Sequence, residues 1–384
     1  MSETFKLHVG EWVEVRSKEE ILKTLDANGR LDGMPFMPEM FAYCGQRFPV
    51  FKSAHKGCDT VFPIRSRRIT NAVHLDTRCS GESHGGCQAA CLLYWKNAWL
   101  KPVDGDAMNS AVPVDAAVAH PKNAGCSEED VNRATRSSGG SGGEAPIYAC
   151  QATELPAASE DLNPYDFRQY IEDYTSGNVS AGRWIVGAAY ISYQRLINTG
   201  IGLGAPLRWL YERFQKLRGG LPYPQRRGTI PIGQQTPTAR LGLQAGEWVR
   251  VKSYEDILAT CGTDNRNRGM VWDGELMPYC GGTYRVLKRV SAIIDERTGK
   301  MLNMQNPCII LEGVVCQARY SECRMFCPRS IYPYWREIWL ERVDPQHAAE
   351  LDRQHSERSR ASIPVLPIQR ATGGGSRPSS AGAA

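Results

Sequence analysis

Gly10-Glu-Trp-Val-Glu-Val-Arg-Ser17 returns, 236 positions later, as Gly246-Glu-Trp-Val-Arg-Val-Lys-Ser253. The same offset carries Glu20 onto Asp256, Tyr43-Cys44-Gly45 onto Tyr279-Cys280-Gly281, Val50 onto Val286 and Asp59 onto Asp295. A correspondence held in register over dozens of residues marks an internal repeat, and a repeat constrains architecture more than any single motif does. Each copy opens with the apolar signal of a strand, Trp12, Val13 and Val15 or Trp248, Val249 and Val251. Ser17 and Ser253 precede Glu20 and Asp256 by three residues, the spacing of a capping box, in which hydroxyl and carboxylate each bind a backbone N–H of the first helical turn. A short helix follows, with Ile21, Leu22 and Leu25, or Ile257 and Leu258, on one side.

Further strands are expected at residues 283–290, 291–295, 300–302, 308–311 and 335–340, with a turn at Thr298-Gly299, where glycine accepts positive φ at little cost. Short strands in this number suggest small SH3-like barrels. The middle reads differently: residues 163–174 and 183–197 have helical patterning, and Pro206 opens a third helix that Gly219-Gly220 ends. The expected fold class is α+β, with two homologous small β-rich units on either side of a mainly helical middle. The units span residues 8–103 and 244–343, the helical domain 147–240, a linker 104–146 containing Ser137-Ser-Gly-Gly-Ser-Gly-Gly143, and a polar, largely disordered tail 344–384.

At 384 residues the chain exceeds one ordinary core, and 42% hydrophobic with 23% charged residues is a globular composition. A net charge of +5 neither demands nor excludes an anionic partner. The first ten residues carry no basic segment followed by an apolar run, and the most apolar helical stretch, 184–197, includes Gln194 and Arg195 and is shorter than a membrane span. The expectation is therefore a cytoplasmic protein without a membrane span. In a reducing compartment, 13 cysteines are better explained by metal or redox chemistry than by standing disulfides.

Eight of them fall into two matching sets: Cys44, Cys79, Cys87 and Cys91, then Cys280, Cys316, Cys323 and Cys327. Clustered thiolates repel one another unless a cation neutralises them or burial keeps them protonated, so these eight are the candidate metal ligands. Four thiols suit a tetrahedral zinc site and an iron–sulfur cluster alike, and the Cys-x3-Cys spacings decide for neither. His84 lies between Cys79 and Cys87 and joins the candidates; Tyr320 stands at its place in the second copy, so a role for His84 makes the first unit the reactive one and the second structural. Cys58 and His55 lie near the first set in sequence, Cys126 and Cys150 fall in the connecting region, and residues 149–155 are a sensible place for a middle segment to close over the first unit, where it could add a ligand, although no motif requires it. Cys261, opposite Leu25, reads as core.

Gly200-Ile-Gly-Leu-Gly204 lacks the strand and acidic residue of a dinucleotide fingerprint, and neither a phosphate-binding Gly-x4-Gly-Lys loop nor His-Glu-x2-His occurs. Arg65-Ser-Arg-Arg68 and Arg226-Arg227 are too small as basic patches to favour nucleic acid.

The combination of Gly-Glu-Trp-Val, Tyr-Cys-Gly, His84-Gly-Gly-Cys-Gln and Tyr334-Trp-Arg-Glu-Ile-Trp-Leu340, across residues 8–343, resembles a group of duplicated, cysteine-rich bacterial proteins encoded near biosynthetic gene clusters. That resemblance implies an accessory or redox role in bacterial biosynthesis and a protein partner from such a pathway. A non-catalytic interaction scaffold with zinc-stabilised or unliganded repeats is the alternative, and a nucleic-acid-binding module a second. The substrate and oligomeric state are left open.

Overall fold

A computed structural model describes residues 6–61, 63–103, 126–137, 145–200 and 202–345; the Gly-Ser stretch beyond Ser137 and nearly all of the polar tail lie outside them. The chain is α+β, with two curled antiparallel half-barrel sheets on either side of a helical middle. In the first unit the strand order is Leu92–Lys96, Ala72–Arg78, Arg47–Ser53, Trp12–Val15, Leu100–Pro102, and in the second Met301–Leu311, Thr283–Ile294, Trp248–Val251, Leu340–Arg342. The opening strand is central in register with its neighbours in both units: Val13 faces Phe48 and Val15 faces Leu100, as Val249 faces Tyr284 and Val251 faces Leu340.

Both cores are built from matching contacts. Ser17 and Ser253 cap their helices through the N–H of Glu20 and Asp256. The buried Trp99 indole donates to Thr24 Oγ1 at 3.0 Å, and Trp339 donates to Thr260 Oγ1 at 2.9 Å. Phe36 meets Trp99 edge-on at 5.1 Å; at its place in the second unit Trp272 meets Trp339 at 5.2 Å. A buried indole that finds a hydroxyl keeps its large apolar area without an orphaned N–H. Residues 335–340 are not the strand expected from their aromatic pattern. Trp335 makes an isolated bridge to Ile309, residues Glu337–Trp339 form one 3-10 turn, and only Leu340–Arg342 is extended. The turn brings Trp335 and Trp339, four residues apart, into one core, where an extended chain also would put them on one face but farther apart.

The middle helices are Arg168–Thr175, Ala181–Ile197 and Gly204–Arg218. Ala181–Ile197 docks on the second unit through Gly187, where a Cβ would collide with the Phe326 ring. Among the described residues, no helix is long and apolar enough to cross a membrane.

His74 lies fully buried on the Ala72–Arg78 strand, with Nδ1 2.8 Å from the Leu93 carbonyl and no partner for Nε2. Burial pushes its pKa down to about 3, against a smaller upward pull from that carbonyl. The folded chain thus refuses a proton that the unfolded chain takes up near pH 6.5. Stability is therefore complete above that pH and declines as pH falls toward 3, by roughly 2–3 kcal/mol at pH 4.5. Urea unfolding at pH 7 and pH 4.5 should show a smaller difference in His74→Phe than in the parent; an equal difference would assign the acid sensitivity elsewhere.

Candidate metal centre

Three elements of the first unit converge on one buried point. Glu39 stands on the 3-10 turn Pro38–Tyr43, Cys79 directly follows the Ala72–Arg78 strand, and His84 ends the 3-10 turn Glu82–His84. The turn is tight because Gly81, Gly85 and Gly86 all have positive φ; a Cβ on Gly81 would strike the Cys87 carbonyl, and one on Gly85 the Tyr148 hydroxyl. Backbone bonds from His84 N to Gly81 O (3.0 Å) and from Cys79 N to Cys91 O (2.9 Å) close it.

The ligand atoms of Glu39, Cys79 and His84 lie within 4.8 Å of one another, so the group can hold a metal ion. The Cys79 thiol donates to Glu39 Oε1 at 3.0 Å. His84 Nε2 is 3.1 Å from the Ala149 carbonyl, which can only accept, so Nε2 carries the proton. His84 Nδ1 faces Glu39 Oε1 at 3.3 Å without hydrogen-bond geometry, and Glu39 Oε2 has no partner at all. In the neutral ring a lone pair thus points at a carboxylate inside the protein. That arrangement is repulsive until a proton or a cation lies between the two groups. An imidazole that donates one N–H to a backbone carbonyl and turns its other nitrogen inward is the usual posture of a metal-bound histidine.

Burial on its own would raise the Glu39 pKa; with a proton between His84 and the carboxylate, His84 and then Cys79 outweigh it and hold the carboxyl at about 2. Cys79 is pushed far up, first by burial and then by the Glu39 charge. Without a metal ion the site therefore pairs a carboxylate with a protonated thiol and with a proton toward His84, and metal binding would release both protons in exchange for the ion.

Glu39 escaped the sequence reading although a signal was present, since Glu275 occupies the same place in the repeat. In the second unit that carboxylate accepts from the backbone N–H groups of Arg319, Tyr320 and Ser321 at 2.7, 2.7 and 3.1 Å. With Tyr320 in place of histidine, Glu275 closes a loop where Glu39 faces two ligand atoms.

The expected quartets assemble differently. Cys79, Cys87 and Cys91 are neighbours, but Cys44 interacts with Lys18 and Glu19, not with other thiols. Adjacent side chains point opposite ways here: Tyr43 faces Cys79 and Glu39, so Cys44 turns away. The fourth thiol near the first three belongs to Cys150, which lies within electrostatic reach of Cys79, Cys87 and Cys91. Cys280 likewise sits beside Glu255, apart from Cys316, Cys323 and Cys327. The cysteine that does join those three is Cys58, from the first unit. His55 contributes to neither set and lies 3.2 Å from Asp173. Cys126 and Cys261 are core residues, as is Cys308.

No protein-family model, curated protein or solved structure matches the chain.

Proposed function

We propose that the chain is a metal-binding protein whose reactive centre is Glu39, Cys79 and His84, acting as an accessory factor in cytoplasmic bacterial biosynthesis. The observation that carries the reading is the buried trio itself: His84 Nδ1, which has no hydrogen-bond partner, faces Glu39 Oε1 at 3.3 Å, and the Cys79 thiol meets the same oxygen at 3.0 Å. A carboxylate oxygen, an imidazole nitrogen and a sulfur suit zinc, and three protein ligands leave a fourth position for water or a substrate. An iron–sulfur cluster asks for four thiolates and fits this trio less well. The biosynthetic assignment rests on the sequence resemblance. Nucleic acid is disfavoured because the basic runs are engaged: Arg67 pairs with Asp161, Arg68 with Glu172 and Arg226 with Glu255.

Metal analysis and an optical spectrum of anaerobically purified protein test the proposal. Zinc should be present near stoichiometrically, and His84→Ala and Cys79→Ser should each weaken binding by more than the roughly 10–100-fold that follows loss of an outer-shell partner. Parent protein free of zinc and iron would remove the reading.

A second reading, an interaction scaffold, is favoured by the Gly204–Arg218 helix. Its outer face shows Leu210, Phe214 and Leu217 at heptad spacing, with Trp209 65% and Leu217 78% exposed. Arg213 and Arg218 flank this seam, so parallel pairing with a second copy would set like charges together, and an acidic amphipathic helix of a pathway protein is the better match. An acidic helical peptide should shift the fluorescence of the parent but not of Trp209→Phe; no shift in the parent would discard the scaffold reading.

A further inference from the structure

The two units exchange arms. In the first unit the chain after Arg47–Ser53 continues through Lys56–Asp59, and in the second the equivalent segment is the far end of Thr283–Ile294. Each segment reaches across to the cysteine loop of the other unit. The Ile294 N–H points to Cys87 Sγ at 3.4 Å, while Gln88 Oε1 accepts from Ser291 N at 2.6 Å. Reciprocally, Cys58 packs with Cys327, Cys316 and Ala318 in one buried cluster, and Ser66 Oγ bonds the Cys323 carbonyl. Cys58 and Ile294 occupy the same position of the repeat. The two crossings are thus equivalent, except that one delivers a thiol.

We propose that Cys58, Cys316, Cys323 and Cys327 form a second, all-sulfur metal site of the closed structural type, completed across the two units and suited to Zn2+. Cys58 packs against Cys327 and Cys316 in that cluster, and Cys323 lies on the same loop, four residues before Cys327. Four thiolates around a divalent ion carry a net charge of −2, which needs nearby cations in so buried a place. Two arginines lie beside the cluster, each shared with a carboxylate: buried Arg329 donates to the Cys58 carbonyl at 2.6 Å and faces Glu296 at 3.5 Å, and Arg324, on the cysteine loop, pairs with Asp273 at 2.6 Å. The residue before the last cysteine of each triad, Ala90 or Phe326, is held at positive φ (51° and 62°), an uncommon conformation for a side-chain-bearing residue. No three of the four sulfurs lie within 4.8 Å of one another. Loading therefore turns the side chains inward between rotamers, and the thiol protons pass to solvent as the metal–sulfur bonds form.

This site is independent of the Glu39 centre, and the experiment separates the two. Full-length parent, Cys58→Ser, His84→Ala and the control Cys280→Ser are purified anaerobically, analysed for zinc and then exchanged with Co2+. Cys58→Ser should lose about one metal equivalent and the intense sulfur-to-cobalt absorption of a four-thiolate site, while Cys280→Ser keeps both. His84→Ala should lose only the other equivalent. Full metal in Cys58→Ser overturns the proposal whatever His84→Ala does; loss in Cys58→Ser alone supports it and overturns the Glu39 centre. Should Cys58→Ser fail to fold, iodoacetamide labelling of the half-buried Cys316 and Cys323 in the parent decides, because chelation should raise it at least several-fold. Equal labelling with and without chelator overturns the site. So does recovery of a Cys58–Cys327 disulfide in place of metal, formed as peroxide takes two electrons and two protons from the pair.

Discussion

Asp173→Ala is expected to lower the unfolding free energy by about 3–5 kcal/mol, the cost of leaving a buried charge without its partner. Asp173 is fully buried on the Arg168–Thr175 helix and binds Lys56 Nζ at 2.5 Å, with His55 Nε2 at 3.2 Å on its other oxygen. The same ammonium donates to the Met325 carbonyl at 2.8 Å and lies 4.9 Å from the centre of the Tyr170 ring. One lysine therefore joins the first unit, a middle helix and the cysteine loop of the second. Burial pushes the Lys56 pKa down and the Asp173 charge opposes it, so removing the carboxylate leaves an ammonium that must stay charged unpaired or lose its proton. Urea titration measures the loss. The double variant Lys56→Met with Asp173→Ala should recover most of it, since no charge is then left buried; a double variant as unstable as the single one would show that packing, not charge, dominates here.

Trp99→Ala and Trp339→Ala should each cost about 3–5 kcal/mol, because each empties the centre of its own core. Both rings are fully buried, each is held edge-on by an aromatic neighbour, and each has its N–H on a threonine hydroxyl. The indole N–H accounts for only about 1 kcal/mol of the total, so Thr24→Val and Thr260→Val should be several-fold milder than the tryptophan changes. Denaturant midpoints for the four variants check this, and near-equal losses within each tryptophan–threonine pair would place the energy in the hydrogen bond instead of the ring.

The repeat was legible because local patterns propagate with the backbone. Ser17 and Ser253 cap where their spacing indicates, the opening strands bury Val13, Val15, Val249 and Val251, and three middle helices form close to the residues their periodicity marks. Residues 335–340 misled because two tryptophans four apart satisfy a turn as well as a strand. The metal candidates were half legible. Cys79, His84, Cys87 and Cys91 are close in sequence and stay close in space, whereas Cys44 and Cys280 were grouped with their triads by repeat position alone. Repeat position locates a Cα and says little about direction: Tyr43 takes the face toward Cys79, which sends Cys44 to Lys18.

By itself the amino-acid order determined two units of one design, the helical character between them and the cysteine loop that each carries, since all of these depend on neighbours within a few residues. Tertiary structure alone decided which groups meet at those loops: Glu39 beside Cys79 and His84, Cys150 from the middle, and Cys58 across the interface. These partners come from distant segments. Only the crossing of segments between the two units and the middle helices brings them within reach, and no local periodicity encodes a contact of that kind.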